Sequence, residues 1–270
     1  MTKKRNFFAF VVAWAFMSFS CGLQDVPYIS RILEPAHTGL SGTSDIRLPS
    51  SAELGYGTMD PFTHFVIFYR IYLSNVFHAA DTVDTSPERS SINPLLNTDF
   101  NAAFSWTDPT NVAVNTAGVH NFFVNLRGFF LLELEGVAIG NVLGRDSLGR
   151  TMRIDFSDIP GQAPRLQLDN RFYNLRRAGG IDDGFDFEPL PRIGNTLPFF
   201  NHMELLDSGN RTNRTINADV APTVPSGPMP IEHSYVMMYI AAAGLSLTAP
   251  PVRVFSQPTF LGIFRLPSPH

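Results

Sequence analysis

Cysteine occurs once in these 270 residues, at Cys21, so no disulfide can form within the chain and the fold has to be held by its core. Lysine is almost absent too, found only at Lys3 and Lys4. Charged residues make up 16% of the chain, below the roughly 25% of an average domain. With no basic run and a formal net charge of −4, the chain lacks the clustered cations that grip phosphate backbones, and nucleic acid is not expected as a partner. Missing catalytic signatures narrow the field further. No Gly-x-Ser-x-Gly elbow, Walker loop or dinucleotide fingerprint occurs, and the seven histidines show no zinc spacing such as His-Glu-x-x-His. Helical periodicity is nearly missing, and 21 prolines falling mostly between the apolar runs leave no room for long helices.

What is abundant is apolar. Hydrophobic residues reach 44% and phenylalanine alone contributes 24, which describes a packed globular protein with an aromatic core rather than a disordered one. The first residues have a different purpose. Lys3, Lys4 and Arg5 form a positive region, followed from Phe7 to Phe19 by an almost wholly apolar run that is too short to span a bilayer core of about 20 residues comfortably. This is the pattern of a secretory signal peptide over residues 1–20. Its removal leaves 17 basic residues against 24 acids, a formal charge of −7. The remaining length of about 250 residues suffices for one large domain or two small ones.

The leader ends in Ser18-Phe19-Ser20-Cys21-Gly22. This segment resembles the lipobox of bacterial lipoproteins, in which a small residue precedes a cysteine that becomes the lipidated N-terminus. It departs from the usual box in having Ser18 where leucine is commonest and bulky Phe19 next, a looseness similar to spirochaete lipoproteins. Ordinary cleavage after Ser20 is the competing reading, since Ser18 and Ser20 also make a small-x-small site. The cysteine favours lipidation, because a lone thiol in an oxidising compartment has no partner unless a thioether consumes it. Two or three acyl chains would then hold the protein on the lipid bilayer through Cys21, with residues 21–30 as a short tether. The resemblance further implies an outer-membrane address over an inner one, since Gly22 and Leu23 lack the aspartate of inner-membrane retention.

Beyond the tether, apolar residues alternate. From Asn121 to Glu135, Phe122, Val124, Leu126, Phe130, Leu132 and Leu134 fall on one face and Asn121, Asn125, Arg127, Glu133 and Glu135 on the other, with Gly128 marking a bend. Thr151 to Phe156 repeats the period, with Met152, Ile154 and Phe156 inward. Both segments read as half-buried antiparallel strands. Thr63 to Ser74 is apolar on both faces and suits a central strand. Gly144-Arg145-Asp146-Ser147-Leu148-Gly149 reads as a loop turning a hairpin from a strand near Ile139 into the one at Thr151. The same residues approach the Gly-Asp-Ser-Leu box of some esterases, which Arg145 interrupts. One short helix is expected at Leu95 to Phe104.

Ser234-Tyr235-Val236-Met237-Met238-Tyr239-Ile240-Ala241-Ala242-Ala243-Gly244 resembles the F strand of a fibronectin type III or related immunoglobulin-like sandwich, with Tyr235 as the tyrosine-corner residue and Ala241 facing inward. Ser256 to Phe264 then resembles the G strand, and Phe68-Tyr69-Arg70-Ile71-Tyr72-Leu73-Ser74 the C strand. The resemblance implies an all-β antiparallel sandwich over residues 31–270. The stretch between the C-like and F-like strands is far longer than in that family, which implies a large β-rich insertion at about 85–225.

An acidic loop, Asp182, Asp183, Asp186 and Glu188, is bent by Gly179, Gly180 and Gly184 and offers carboxylates to Ca²⁺ without the spacing of an EF-hand. A solvated loop paired to Arg176 and Arg177 is the alternative. Residues 179–188 and 207–219 are the exposed loops where a partner site would lie. The function expected is therefore a membrane-anchored, non-catalytic binding or structural protein of the envelope, engaging an envelope protein or other macromolecule. A carrier of a small apolar ligand in a phenylalanine-rich β-core is the alternative. A hydrolase using Glu133, Glu135 or Asp155 is a third, although all three alternate as the polar face of strands.

Overall fold

The computed structural model describes residues 43–54, 62–74, 76–77, 86–107, 118–156, 164–176, 233–245 and 253–266. The fold is mainly β, in two antiparallel sheets. Its centre is a pair of 13-residue strands, β2 (Phe62–Ser74) and β8 (His233–Leu245), which run antiparallel in register from Phe62 opposite Gly244 to Ser74 opposite His233. Both are rich in the β-branched and aromatic side chains that fit a pleated surface. β10 (Thr259–Arg265) flanks β8, and β3 (Phe130–Leu131) flanks β2, giving the order β10-β8-β2-β3; β9 (Arg253–Phe255) pairs with the far end of β8.

The second sheet has the order β1-β5-β6-β7-β4, built from Thr43–Arg47, Thr151–Asp155, Arg165–Leu168, Arg171–Arg176 and Glu133–Leu134. Alternation divides it cleanly. Ile46, Met152, Ile154, Leu166, Leu168 and Leu175 point inward and meet Phe65, Ile67, Tyr69 and Ile71 of β2 and Val236, Met238, Ile240 and Ala242 of β8 in one continuous core. The outer face carries ion pairs between directly opposed residues: Asp45 accepts two bonds from Arg153 at 2.6 and 2.8 Å, and Asp155 accepts from Arg165 at 3.2 Å. Charge thus solvates one side of the sheet while the other is dry.

Since the odd residues of β2 face the second sheet, its even residues need cover of their own. They obtain it from helices, which form a third layer over Val66, Phe68 and Tyr72 together with Tyr235, Met237, Tyr239 and Ala241 of β8. α1 (Ser86–Ile92) leads directly into α2 (Pro94–Thr107). Pro94 at the first helical position loses no backbone bond, and the Asn93 side-chain oxygen caps the helix by accepting the Leu95 N–H at 2.9 Å. α3 (Asn121–Leu126) is wound as a π-helix and ends at Gly128, whose φ of 64° lies in the left-handed region. There the Gly128 and Phe129 N–H groups donate back to the carbonyls of Val124 and Phe123 at 2.9 and 2.8 Å, a glycine C-terminal cap. Trp106, Phe122, Phe123, Phe129 and Tyr239 pack ring against ring, with centroids 5.0 to 6.1 Å apart. Among the described residues no helix is long and apolar enough to cross a membrane.

β5 stands where alternation places it, β2 where its two apolar faces place it, and β8 and β10 overlap the segments likened to F and G strands, while α2 contains the expected Leu95–Phe104 helix and extends beyond it. Two expectations are corrected. Asn121 to Leu126 is helix rather than strand, since Val119, Phe122 and Phe123 follow helical spacing and are buried while Leu126 is 62% exposed. Only Phe130–Leu131 and Glu133–Leu134 of that segment are extended. The loop before Thr151 does not turn a hairpin. Ile139–Val142 forms a single helical turn, α4, and Arg145–Ser147 a 3₁₀ turn, while β4 pairs with β7 and β5 with β1 and β6. The connection crosses between the two sheets because Leu143 accepts a bond from the Phe65 N–H at 2.8 Å, which ties it to β2. The signal peptide, Cys21, the tether and all of residues 177–232, including the loops at 179–188 and 207–219, lie outside the described residues.

Candidate functional site

The chain that pairs with β2 at Phe130 and Leu131 leaves it after Leu132, whose N–H donates to Ile67 O at 2.8 Å, and returns at Leu143 and Gly144, where a bridge joins Gly144 to His64. Between these two points β4, a turn and α4 arch away from the start of β2. The arch, the first residues of β2, the end of β8 and β9 enclose a cavity of about 600 Å³, within the range that holds a small-molecule ligand.

Its walls are mostly aliphatic: Val66, Leu131, Leu132, Leu134, Val137 and Ile139, with Ala138, Ala243 and Leu245. Small residues make the room. Gly136 has a φ of 71° that a side chain rarely adopts. Gly140 packs against the His64 ring, and a Cβ at Gly144 would lie 2.5 Å from the Gly140 carbonyl oxygen, so the arch closes only with glycine there. Among the described residues, Phe255 is the one phenylalanine, tyrosine or tryptophan in the lining; the phenylalanines of the helical layer pack against one another.

Among the described residues, four polar side chains reach the lining: Thr63, His64, Glu133 and Arg253. The Thr63 hydroxyl donates to Ala243 O at 3.1 Å, which leaves its oxygen to accept from Nδ1–H of His64 at 2.9 Å and assigns that tautomer to the neutral ring. Glu133 stands opposite Arg176 in the β4–β7 register. The register also fixes where His64 and Arg253 lie. His64 and Phe255 flank Ala243 on its two sides, and Arg253 is paired with Leu245; residues paired across a ladder share a face, so His64 and Arg253 project from the same face of the sheet.

The other carboxylates named from the sequence are not brought to this cavity. Glu135 accepts from Asn174 at 2.7 Å and from Arg176, bonds that hold its carboxyl below the usual range. Asp155 is paired with Arg165 on the outer face of the second sheet. Ser147 is buried and its hydroxyl donates to Gly144 O at 2.6 Å, a turn-stabilising bond rather than a nucleophile's setting. Tyr235 donates its hydroxyl to the carbonyl of Val76 at 2.8 Å, across the sheet just past the end of β2; a tyrosine corner bonds a few residues upstream in the chain.

A buried polar cluster, not singled out from the sequence, lies between β2 and the helical layer. Asp99 of α2 accepts from Arg70 at 2.7 Å and from the Tyr72 hydroxyl at 2.7 Å, with Arg127 at 3.8 Å. Arg70 also donates to the Arg127 carbonyl. Burial raises the Asp99 carboxyl above its ordinary value against the opposing pull of Arg70, Tyr72 and Arg127, and burial likewise raises the Tyr72 hydroxyl. The cluster fastens α2 and the turn after α3 to β2.

Among the described residues no group of three or more His, Cys, Asp or Glu side chains is placed to hold a metal ion. Asp182, Asp183, Asp186 and Glu188, expected as calcium ligands, lie outside the described residues. No protein-family model matches this chain, and no curated protein or solved structure shows significant similarity to it.

Proposed function

We propose that this chain is an exported lipoprotein, held at the bilayer by acyl chains on Cys21, whose mainly-β body binds a small apolar ligand rather than transforming one. The observation that carries the binding reading is the cavity of about 600 Å³ with aliphatic walls and few polar groups. Binding is favoured over hydrolysis because Glu135 and Asp155 are engaged by arginines and Ser147 is buried in its turn. Native mass spectrometry of gently purified full-length protein tests it. A retained small molecule is the expected result, and a protein that comes off the membrane empty and stays empty when offered lipid extract refutes it. Metabolic labelling with palmitate tests the anchor: label is expected in the natural protein and absent from Cys21→Ala, and no label in either removes the anchor and the outer-membrane address with it.

A second reading, engagement of an envelope protein or other macromolecule, is supported by one feature of the fold. With β2, β8 and β10 taken as C, F and G, the order β10-β8-β2-β3 follows G-F-C with one further strand beyond C, as in immunoglobulin-like sandwiches. In that case β4 to β7 belong to the insertion at about 85–225 and complete the opposite sheet. Crosslinking in the envelope followed by pull-down separates the readings, since only this one requires a protein partner at stoichiometric yield.

A further inference from the structure

We propose that residues 136–141, the crest of the arch, form a lid through which a ligand enters and leaves the cavity; this rests on the ligand-binding reading above. The two feet of the arch are fastened to the sheets. On one side the Leu132 N–H donates to Ile67 O at 2.8 Å and the Glu135 N–H to Asn174 O at 3.0 Å; on the other the Phe65 N–H donates to Leu143 O at 2.8 Å and Gly144 bridges to His64. Leu134 and Val142, the apolar residues at the feet, are buried in the core between the sheets. Between them the bonding changes. Among the described residues, the backbone bonds of 136–141 stay within the arch: Val137 bridges to Leu134, the Asn141 N–H donates to Ala138 O at 2.9 Å, and the Leu143 N–H donates to Ile139 O at 2.7 Å.

The crest is thus a small closed unit that rests on the cavity by packing. None of its residues is buried, yet Val137, Ala138, Ile139 and Gly140 all contribute to the cavity lining. Segments with few buried contacts, bonded mainly within themselves, open at the lowest free energy in a fold. Gly136, with its φ of 71°, stands where the crest leaves β4 and has the backbone freedom that a hinge uses. Toward the other end, Gly140 sits over the His64 ring, where a Cβ would lie 3.5 Å from Cγ. That contact sets the crest down on the start of β2. Swinging the crest about Gly136 lifts it from His64, removes one wall of the cavity, and leaves the β2–β8 pairing as it is.

A reversible lock tests the lid. His64 Cβ is one bond from Cγ, so His64→Cys with Gly140→Cys brings two Cβ atoms close to the roughly 3.5–4.5 Å of a disulfide. The pair is introduced into the full chain together with Cys21→Ser, which leaves no other thiol. Uptake of N-phenyl-1-naphthylamine, an uncharged apolar fluorophore, is followed by stopped flow before and after oxidation with diamide, with peptide mapping to verify the bond. Uptake about tenfold or more slower in the oxidised form, restored by reduction, is the expected result. Equal rates in the two forms overturn the lid and leave the cavity reading standing. No uptake by either form or by the natural protein overturns both. Hydrogen exchange of the natural protein, read by NMR, needs no substitution: the Asn141 and Leu143 amides should exchange roughly tenfold or more faster than those of Phe65 and Leu132 at the feet. Equal protection of the two sets likewise overturns the lid.

Discussion

Removing the Asp99 side chain isolates the hold that the helical layer has on the central sheet. Asp99 is 4% exposed, and the Asp99→Ala substitution leaves the partly buried Arg70 guanidinium beside an empty site with the Tyr72 hydroxyl also deprived of its acceptor. Truncating one partner of a buried pair costs about 3–5 kcal/mol, mostly because the surviving charge remains desolvated. For a domain of this size, at about 2–4 °C per kcal/mol, the melting temperature should fall by roughly 6–20 °C. Asp99→Asn keeps an oxygen that can accept from both Arg70 and Tyr72 and loses only a charge that burial disfavours, so it should cost clearly less than Asp99→Ala. Replacing both partners, Arg70→Met with Asp99→Leu, should recover much of the loss seen in Asp99→Ala, since no unpaired charge is then buried. Urea titrations followed by near-ultraviolet dichroism of the aromatic layer measure all three variants. The acid limb adds a sign. Because burial raises the Asp99 carboxyl above 3.8, the native state binds this proton more tightly than the unfolded chain. Its contribution to stability therefore falls as pH rises from about 3.8 through the native value and is constant above it. Asp99→Asn should remove that slope. An Asp99→Ala variant within about 1 kcal/mol of the natural protein, or an Asn variant as unstable as the Ala one, would refute the argument.

Gly144→Ala forces a methyl to within 2.5 Å of the Gly140 carbonyl; it should lower the thermal midpoint by several degrees and weaken ligand binding together, whereas a change in neither shows the arch to be slack. The exposed Glu53 carboxyl is drawn down from 4.5 to about 2 by bonds from the Ser50 backbone and hydroxyl and from Arg47. What it adds to the Ser50–Leu54 turn is therefore fully present above about 4.5 and lost as pH falls through about 2, which a carboxyl titration by NMR on the natural protein and Ser50→Ala would follow; a midpoint for Glu53 near 4.5 would contradict the turn geometry.

The parts of this fold legible in the sequence are those where a single element dictates its own burial. β2 and β8 have apolar side chains at most positions that meet a layer, so their central place follows from composition, and β5 follows from Met152 and Ile154 alternating with Thr151 and Arg153. α3 was hidden because Phe122, Val124 and Leu126 alternate as well as Val119, Phe122 and Phe123 recur helically; only the packing of Phe123 against Phe68, Phe129 and Tyr239 decides between them. The supposed hairpin failed for a related reason, since turn residues show that the chain bends and not which strand it joins next. The cavity is a product of pairing at a distance, formed where the chain departs from β2 and comes back. A local trace of it does exist in Gly136, Gly140 and Gly144, three glycines at a spacing of four, of which the first has a left-handed backbone and the other two meet the His64 ring and the Gly140 carbonyl closely. The Asp99 cluster left no such trace, because Arg70, Asp99 and Arg127 are far apart in sequence and each is unremarkable alone.

β2 and β8 are neighbours in space but lie near opposite ends of the polypeptide, with the whole helical layer and most of the second sheet encoded between them. While the ribosome is still making the middle of the chain, β2 has no mate, and the sheet that organises everything else cannot assemble. For a protein exported in the manner proposed, this ordering acts as a built-in delay, since the central pairing waits until His233–Leu245 has been synthesised.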